Sequence, residues 1–361
     1  MASWARTVNP QPYEIAEYII SGIAPIGLIV IGTVGNLLSV LILLKKDNRQ
    51  TSTNVYLIFL CIMDTLSLYQ WNLGNAVYEF TGGTQNISNQ SLFLCKWEQF
   101  LSFYTLHTSA MFITLVSLDR ACLLWSRSYK QKIAQPHIAL IFCILVLFIL
   151  FALNGFLFAL GFEYTTYDNN TQTQISVIAC YYSLNTGLNN FFSIQYPWIH
   201  LVIMYIVPFI LMFICTIMTM KKLIVKQTST NQQLINSAHR NRHISIMLLS
   251  MCLTYIISTL PNRLCFSLFT DLIIGHDYTD TVFLITNLLM YTRNALNIFF
   301  LYISVHGFRR NIRRLTLTCC RRLDGRIVPQ KNNNQTHLDQ MTIVHDPVKH
   351  HAIGIPLHIY S

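Results

Sequence analysis

Long apolar stretches recur along the chain and alternate with short polar connections. A helix of roughly 20 apolar residues crosses a hydrocarbon core of about 30 Å, and each stretch reaches that length. The seven stretches cover, with approximate ends, residues 15–44, 55–78, 95–125, 137–160, 196–220, 244–270 and 281–305. The pattern therefore predicts an all-α membrane protein built as a seven-transmembrane helix bundle.

The composition and the distribution of charge support a membrane class. The chain is 53% hydrophobic and 11% charged, whereas soluble domains are about 25% charged. A net charge of +10 would suit a nucleic-acid partner, but the basic residues lie in alternate connections, at span ends and in the tail. That asymmetry is the positive-inside pattern, which predicts a cytosolic C-terminus, an extracellular N-terminus and no nucleic-acid partner. The basic residues outside this pattern are Arg6, Lys96, Arg263 and Arg293.

The domain organisation follows from the short connections and from the tail. A single bundle is predicted for residues 15–305, after an extracellular N-terminus over 1–14. Arginines alternate with Phe308, Ile312 and Leu315, which predicts an amphipathic juxtamembrane helix over 306–320 with membrane lipid as its partner. Cys319 and Cys320 are a candidate palmitoylation pair, the alternative being two reduced thiols. The polar residues 321–361 are predicted to form a disordered cytosolic tail.

Covalent modifications are expected on the outer side of the membrane. Cys95 and Cys180 are the cysteines in outer, oxidising positions, so we predict a disulfide bond between them. Glycosylation sequons in outer connections begin at Asn86, Asn89 and Asn169. The cysteine and histidine spacings contain no metal-ligand pattern, and we expect no metal site and no cofactor, with the exception of a possible ion at Asp64.

Asp64 lies near the middle of the second span, where an aspartate costs about 2.5–3.5 kcal/mol on an insertion scale. Neighbouring spans place polar side chains at a comparable depth, namely Asn36, Ser109, Asn294 and Asn297. Two interpretations remain open. The cluster binds a sodium ion through oxygen ligands or shares a proton, or it is a purely structural hydrogen-bond network.

Motif residues occur in a defined order along the spans. They are Gly35-Asn36, residues 60–64 ending in Asp64, Cys95, Ser109, Asp119-Arg120-Ala121, Cys180, Pro208, Leu260-Pro261 and residues 297–302 ending in Tyr302. Their order and spacing resemble the rhodopsin-like (class A) family of G protein-coupled receptors, over residues from about 35 to 315. Within that family the sequence resembles a divergent member similar to the peptide receptors of invertebrates.

The resemblance implies a signalling switch. Arg120, held by Asp119 at rest, is released when the sixth helix swings outward and opens a crevice for a heterotrimeric G protein, with Tyr302 as a further switch residue. Several positions depart from the family pattern: Ala121 after Asp-Arg, Asn241 in place of an acid, Thr259 in place of a tryptophan, and a seventh span without its proline. Because the acid at Asn241 is missing, we expect appreciable basal signalling.

The ligand is constrained by what the sequence lacks. Ser102 occupies the position at which amine receptors of the family carry an aspartate, and residues 281–302 contain no lysine for a retinal Schiff base. An acidic outer rim favours an extracellular peptide ligand with a basic residue. Candidate ligand contacts are Glu98, Gln99, Ser102, Phe103, Asn262, Arg263, Phe266, Tyr291 and Thr292.

The two arginines within the spans have more than one interpretation. Arg263 and Arg293 are candidates to receive a ligand carboxylate, or they pair internally, for example Arg263 with Glu98 or Asp271. Together with Asp64 they also fit a transporter or channel with an intramembrane ion path. The absence of repeated halves argues against transport. An intramembrane enzyme is disfavoured because His107, His137 and His200 are isolated in the sequence.

Overall fold

Seven helices pack side by side in a computed structural model that describes residues 12–45, 51–168, 173–227, 232–267, 269–276, 278–304, 308–310 and 312. Within these ranges, five helices are long and apolar enough to cross a membrane: Ile15–Leu43, Ser52–Phe80, Leu92–Trp125, Pro136–Ala159 and Thr186–Lys222. The sixth helix is Gln232–Ser267, and the seventh is Thr279–Ala295 followed by Asn297–Ser304. The sixth helix packs against the fifth and the seventh, and the seventh packs against the first and second. These contacts complete the predicted bundle.

The side chains that face outward are apolar, as a lipid environment requires. The fourth helix shows this best, with Phe148 72% exposed and Ile141 62% exposed. The polar and charged side chains within the helices instead lie inside the bundle, among them Asp64 and Asn36. An unpaired polar group in hydrocarbon is costly, so the polar side chains of the helices lie in the interior of the bundle. The candidate functional residues are therefore sought there.

Irregular turns interrupt several helices. The first helix consists of Pro12–Tyr18, the π-helical Ile19–Ile23 and Ala24–Leu43. The second helix consists of Ser52–Leu68 and Trp71–Phe80. The fourth helix consists of Pro136–Asn154 and the 3₁₀-helical Gly155–Ala159. The fifth consists of Thr186–Asn190, Phe191–Gln195, Tyr196–Leu201, Val202–Ile206 and Val207–Gln227, of which the second and fourth segments are π-helical. Such turns change which side chains face the interior.

Capping side chains determine where some helices begin. Ser91 and Ser126 accept a backbone hydrogen bond from the residue three positions later, each at 3.1 Å. Asn185 does the same for Leu188 at 3.2 Å, so the fifth helix begins ten residues before the predicted start at residue 196. Shorter helices are Ile87–Asn89, Arg127–Lys132 and Thr270–Ile273.

A β-hairpin connects the fourth and fifth helices. Strand β1 (Phe162–Asp168) pairs antiparallel with β2 (Thr173–Ala179), with Phe162 opposite Ala179. The sequence analysis did not foresee these two strands. Threonine, tyrosine, isoleucine and valine are frequent in both segments and favour extended structure, but a search for spans of about 20 residues does not detect elements of seven.

The predicted juxtamembrane helix is partly described. Residues 308–310 and 312 are helical, and the Phe308 side chain is buried. The rest of the predicted segment, with the candidate palmitoylation pair Cys319 and Cys320, lies outside the described residues, as do most of the N-terminus, the predicted tail and Asn169.

Candidate functional site

The predicted disulfide is present between Cys95, near the start of the third helix, and Cys180, directly after β2, with 5.7 Å between their Cα atoms. The end of the bundle that contains it is termed the disulfide end, and the opposite end is termed the Arg120 end. Gly161 lies against the disulfide with a φ of +88°, and a Cβ there would stand 3.1 Å from the Cys95 sulfur. The backbone at Gly161 therefore requires glycine for both its conformation and its close approach.

Gln99 uses both ends of its side chain to hold the connection that carries the hairpin. Its Nε2 donates to the carbonyl oxygens of Leu157 and Leu160, at 2.7 and 3.0 Å, and its Oε1 accepts from the Tyr181 amide at 3.0 Å. The residue is fully buried. Gln99 therefore helps to position the connection next to the disulfide, and its role as a ligand contact stays a prediction.

Glu98 lies one turn below Cys95 and is partly buried. Its carboxylate accepts a hydrogen bond of 2.6 Å from the Ser88 hydroxyl. Nearby, burial and then the Glu98 carboxylate raise the pKa of the Tyr181 hydroxyl to about 12, and a hydrogen bond with Ser102 partly offsets this rise. The residue as a whole is 37% exposed, so the hydroxyl is its more buried part. Glu98, Ser102 and Tyr181 therefore lie together at the disulfide end.

Tyr291 connects this group to the sixth and seventh helices. Its ring stacks on Trp71 of the second helix, with 5.7 Å between centroids and planes 7° apart. The sulfur of the preceding residue, Met290, lies 3.5 Å from Arg263 Nη2 of the sixth helix. Tyr291 therefore lies between the Trp71 ring and the residue that contacts Arg263.

Arg263 is partly buried and has few polar contacts. Its Nη2 lies 3.5 Å from the Met290 sulfur, its guanidinium lies 5.9 Å from the centre of the Tyr205 ring, and its buried Nε has no hydrogen-bond partner among the described residues. Within the described part of the chain, no ion pair joins it to Glu98. The side chain of Asp271, the other predicted partner, lies outside the described residues.

The remaining ligand candidates have local partners. The hydroxyls of Ser102 and Thr292 donate to carbonyls of their own helices, both at 2.8 Å. Asn262 donates to the Asn287 side-chain oxygen at 2.8 Å, and the Phe266 ring packs on Phe283 with 4.4 Å between centroids.

A buried histidine pair lies beside Phe103. His107 Nε2 and His200 Nδ1 are 2.6 Å apart, and His107 Nδ1 lies 3.0 Å from the Asn154 side-chain oxygen. Tyr196 donates to that same oxygen at 2.7 Å. The expectation that His107 and His200 are isolated was wrong, because the third, fourth and fifth helices meet at this point. No group of three or more metal-ligating side chains occurs among the described residues.

The Asp64 cluster forms as its depth in the spans predicted. Its carboxylate accepts hydrogen bonds from the Ser109 hydroxyl and, at 2.5 Å, from Asn297 Nδ2, which also donates to the Asn36 oxygen at 3.2 Å. Asn36 in turn donates to the backbone oxygen of Asn294 at 3.0 Å. All five residues are buried. The network joins the first, second, third and seventh helices midway between the two ends.

The Arg120 end contains a second buried carboxylate. Asp119 accepts hydrogen bonds from the hydroxyls of Ser52 (2.8 Å), Thr53 and Tyr129 (3.0 Å). Burial and then the Asp119 carboxylate raise the pKa of Tyr129. Arg120 Nε is buried without a hydrogen-bond partner among the described residues, and Tyr302 is 41% exposed. That Asp119 holds Arg120 at rest stays a prediction, and the Asn241 side chain lies outside the described residues.

A small cavity, with room for about one water molecule, lies between the third, fifth and sixth helices at the Arg120 end. It is lined by Ser117, Cys215, Thr216, Thr219, Met220 and Leu248.

The family model of the 7 transmembrane receptor (rhodopsin family) matches residues 35–299, well over half of the chain. The chain belongs to the rhodopsin family of seven-transmembrane receptors. The predicted fold class is thereby confirmed, and so is the broader prediction of a multi-pass receptor of the plasma membrane.

A relative among curated proteins is the growth hormone secretagogue receptor type 1 of Sus scrofa, with 32% identity over 108 residues. The match covers 26% of this chain and 25% of the relative, so it spans about a quarter of that protein's length. The similarity to invertebrate neuropeptide receptors stays a prediction.

The sequence analysis did not place some residues of the receptor's interior. Arg293 Nη1 donates to the Ser109 hydroxyl oxygen at 3.0 Å, which places this arginine in the Asp64 network. One signal was available: Arg293 precedes Asn297 by four residues, a spacing that puts both on one helical face. The histidine pair and the stacking of Trp71 on Tyr291 had no comparable sequence signal.

Proposed function

We propose that this receptor binds an extracellular peptide with a basic residue at the disulfide end and activates a heterotrimeric G protein at the Arg120 end. The observation that carries the proposal is the Glu98 carboxylate. It is partly buried beside Tyr181 and the disulfide, and its hydrogen-bond donor, Ser88, is neutral. Because burying a carboxylate without a cation is costly, a lysine, arginine or terminal amine of a ligand would be favoured there.

The orientation in the membrane is part of the proposal. We place the disulfide end outside, with the N-terminus, and the Arg120 end in the cytosol, with the C-terminus. The positive-inside distribution of charge supports this orientation. Asn86 and Asn89 of the glycosylation sequons are exposed and precede the third helix at the disulfide end, which agrees with modification on the outer side.

The G protein site is proposed from the family and from the interior at the Arg120 end. Arg120 is the residue whose release would create a contact for the G protein, and the cavity lined by Thr216 and Leu248 lies between the helices that would separate. The relative from Sus scrofa is named as a receptor for growth hormone secretagogues. We extend to this chain the more general property of recognising an extracellular messenger.

The test begins with a screen of amidated peptides on cells that express the receptor with a promiscuous G protein. Once an agonist is found, Glu98→Gln is compared with Glu163→Gln, a matched change at an exposed glutamate of β1 that accepts a 2.5 Å hydrogen bond from Ser176. A charged hydrogen bond contributes about 1.5–3 kcal/mol, so Glu98→Gln should lower potency by about tenfold or more.

Controls separate binding from coupling. Arg120→Ala should abolish signalling while agonist binding and surface expression persist. Potency that is equal in wild type and Glu98→Gln would contradict the basic-residue part of the proposal, and full signalling by Arg120→Ala would contradict the coupling part.

A further inference from the structure

An ionised Asp64 requires a positive partner. It is fully buried, and its hydrogen-bond donors, Ser109 and Asn297, are neutral. Neutral donors reduce the cost of burying a carboxylate but do not balance its charge. The charge is balanced by a bound cation such as sodium or by a cationic side chain of the receptor itself; without either, the carboxyl would hold a proton and be neutral.

The side chains around Asp64 do not fit a sodium ion, which binds oxygen atoms. The atom that Asn297 turns towards the carboxylate is its amide nitrogen, a hydrogen-bond donor. The Ser109 oxygen donates to Asp64 and accepts from Arg293 Nη1 at 3.0 Å, so it is already occupied by an N–H group. A sodium ion at this place would also meet the positive charge of the arginine, which repels it.

Arg293 is suited to the role of the missing cation. Its side chain is 3% exposed, and a guanidinium stays protonated even when buried. It reaches Asp64 through the Ser109 hydroxyl, which bridges the two charged groups. We propose that Arg293 is the permanent counter-ion of Asp64 and that it stands where a sodium ion would otherwise bind, so that this receptor has no sodium site in its network.

The same guanidinium also contacts the sixth helix. It lies 4.9 Å from the centre of the Tyr255 ring, and Tyr255 donates a hydrogen bond to the backbone oxygen of Met204 in the fifth helix. The counter-ion therefore joins the sixth helix to the polar network. A diffusible ion held by oxygen atoms would lack this cation–π contact.

The proposal is tested on the purified receptor by thermal unfolding, which needs neither a ligand nor a G protein. Wild type is compared in sodium chloride and in choline chloride at equal ionic strength, and its Tm should be the same in both. Arg293→Gln removes the counter-ion, so its Tm should fall by several degrees and then rise when sodium replaces choline. Asp64→Asn should lower the Tm without any response to sodium.

The double variant keeps the test decisive if a single variant is too unstable to purify. Asp64→Asn with Arg293→Gln removes both charges. If both single variants can be purified, the loss in Tm of the double variant should be smaller than the sum of the two single losses. If only one can be purified, the loss of the double variant should be smaller than the loss of that one. Arg310→Gln, at an exposed arginine, is the control and should leave the Tm unchanged. A rise in wild-type Tm that is specific to sodium and disappears in Asp64→Asn would overturn the proposal, as would strictly additive losses in the double variant.

Discussion

Gln99 illustrates how a residue near a binding site serves the structure around it. Its amide donates to two carbonyls at the end of the fourth helix and accepts from the backbone beside the disulfide. A side chain with all of its polar atoms engaged and with no exposed surface has little to offer a ligand. Its chemistry is used to fix the position of the hairpin connection.

A substitution at Gln99 distinguishes the two roles. Gln99→Leu removes the hydrogen bonds to the Leu160 carbonyl and the Tyr181 amide, whereas the Leu157 carbonyl keeps the one from the Leu160 amide. Each buried polar group left without a partner costs about 1–3 kcal/mol, so the Tm of the purified receptor should fall. Gln90→Leu, at an exposed position in the same region, is the control and should have little effect. An unchanged Tm together with a loss of agonist potency would show that Gln99 is a ligand contact after all.

At the scale of helices, the first and seventh approach each other closely at Gly35. A Cβ on Gly35 would lie 2.8 Å from Ile298 Cγ2, closer than packed carbon atoms come. Asn36, the next residue, contributes to the Asp64 network through Asn294 and Asn297. The glycine thus keeps the two helices near enough for the network to form.

Two glycines of the first helix provide a matched comparison. Gly35→Ala forces Ile298 or the helices to move and should lower stability by about 1–3 kcal/mol, a typical cost of overpacking. At Gly27 an added Cβ meets no atom within 4 Å, so Gly27→Ala should be neutral or stabilising because alanine favours the helix. The measurement is the Tm of both variants. Equal Tm values would show that the two helices do not need the close approach.

At the scale of the whole molecule, three polar groups follow one another along the bundle. The Glu98 region lies at the disulfide end, the Asp64 network lies midway, and the Asp119 cluster lies at the other end. Arg293 and Tyr255 connect the network to the sixth helix, which is the helix expected to move. The contact of Arg293 with Tyr255 therefore joins the Asp64 network to the helix whose movement the proposed activation requires.

Activation as a whole is tested at the inner end of the sixth helix. Asn241 stands where many relatives have an acid, so wild type should show basal G protein activation above that of mock-transfected cells. Asn241→Glu should lower it by restoring an electrostatic lock, while Asn241→Gln should leave it unchanged at matched surface expression. Basal activation no higher in wild type than in mock cells would contradict the expectation.

The sequence by itself was sufficient for the seven helices, for the disulfide partners and for listing Asn36, Asp64, Ser109, Asn294 and Asn297 at one depth, but not for Arg293. These features depend on the length of apolar runs, on the asymmetry of charge and on depth within a span, all of which are local properties of the chain. Residues 60–64 and Asn297 could be matched by depth alone, without knowing how each helix is rotated.

The tertiary structure decided which side chains meet. His107 and His200 are 93 residues apart, and Ser109 and Arg293 are 184 apart, so only the packing of the helices brings them into contact. Apolar side chains of a membrane helix face both the lipid and the packed interior, so hydrophobicity alone does not reveal which partner each buried side chain meets. For that reason the sequence predicted the polar residues of the interior, whereas the fold determined their partners, including the arginine beside Asp64.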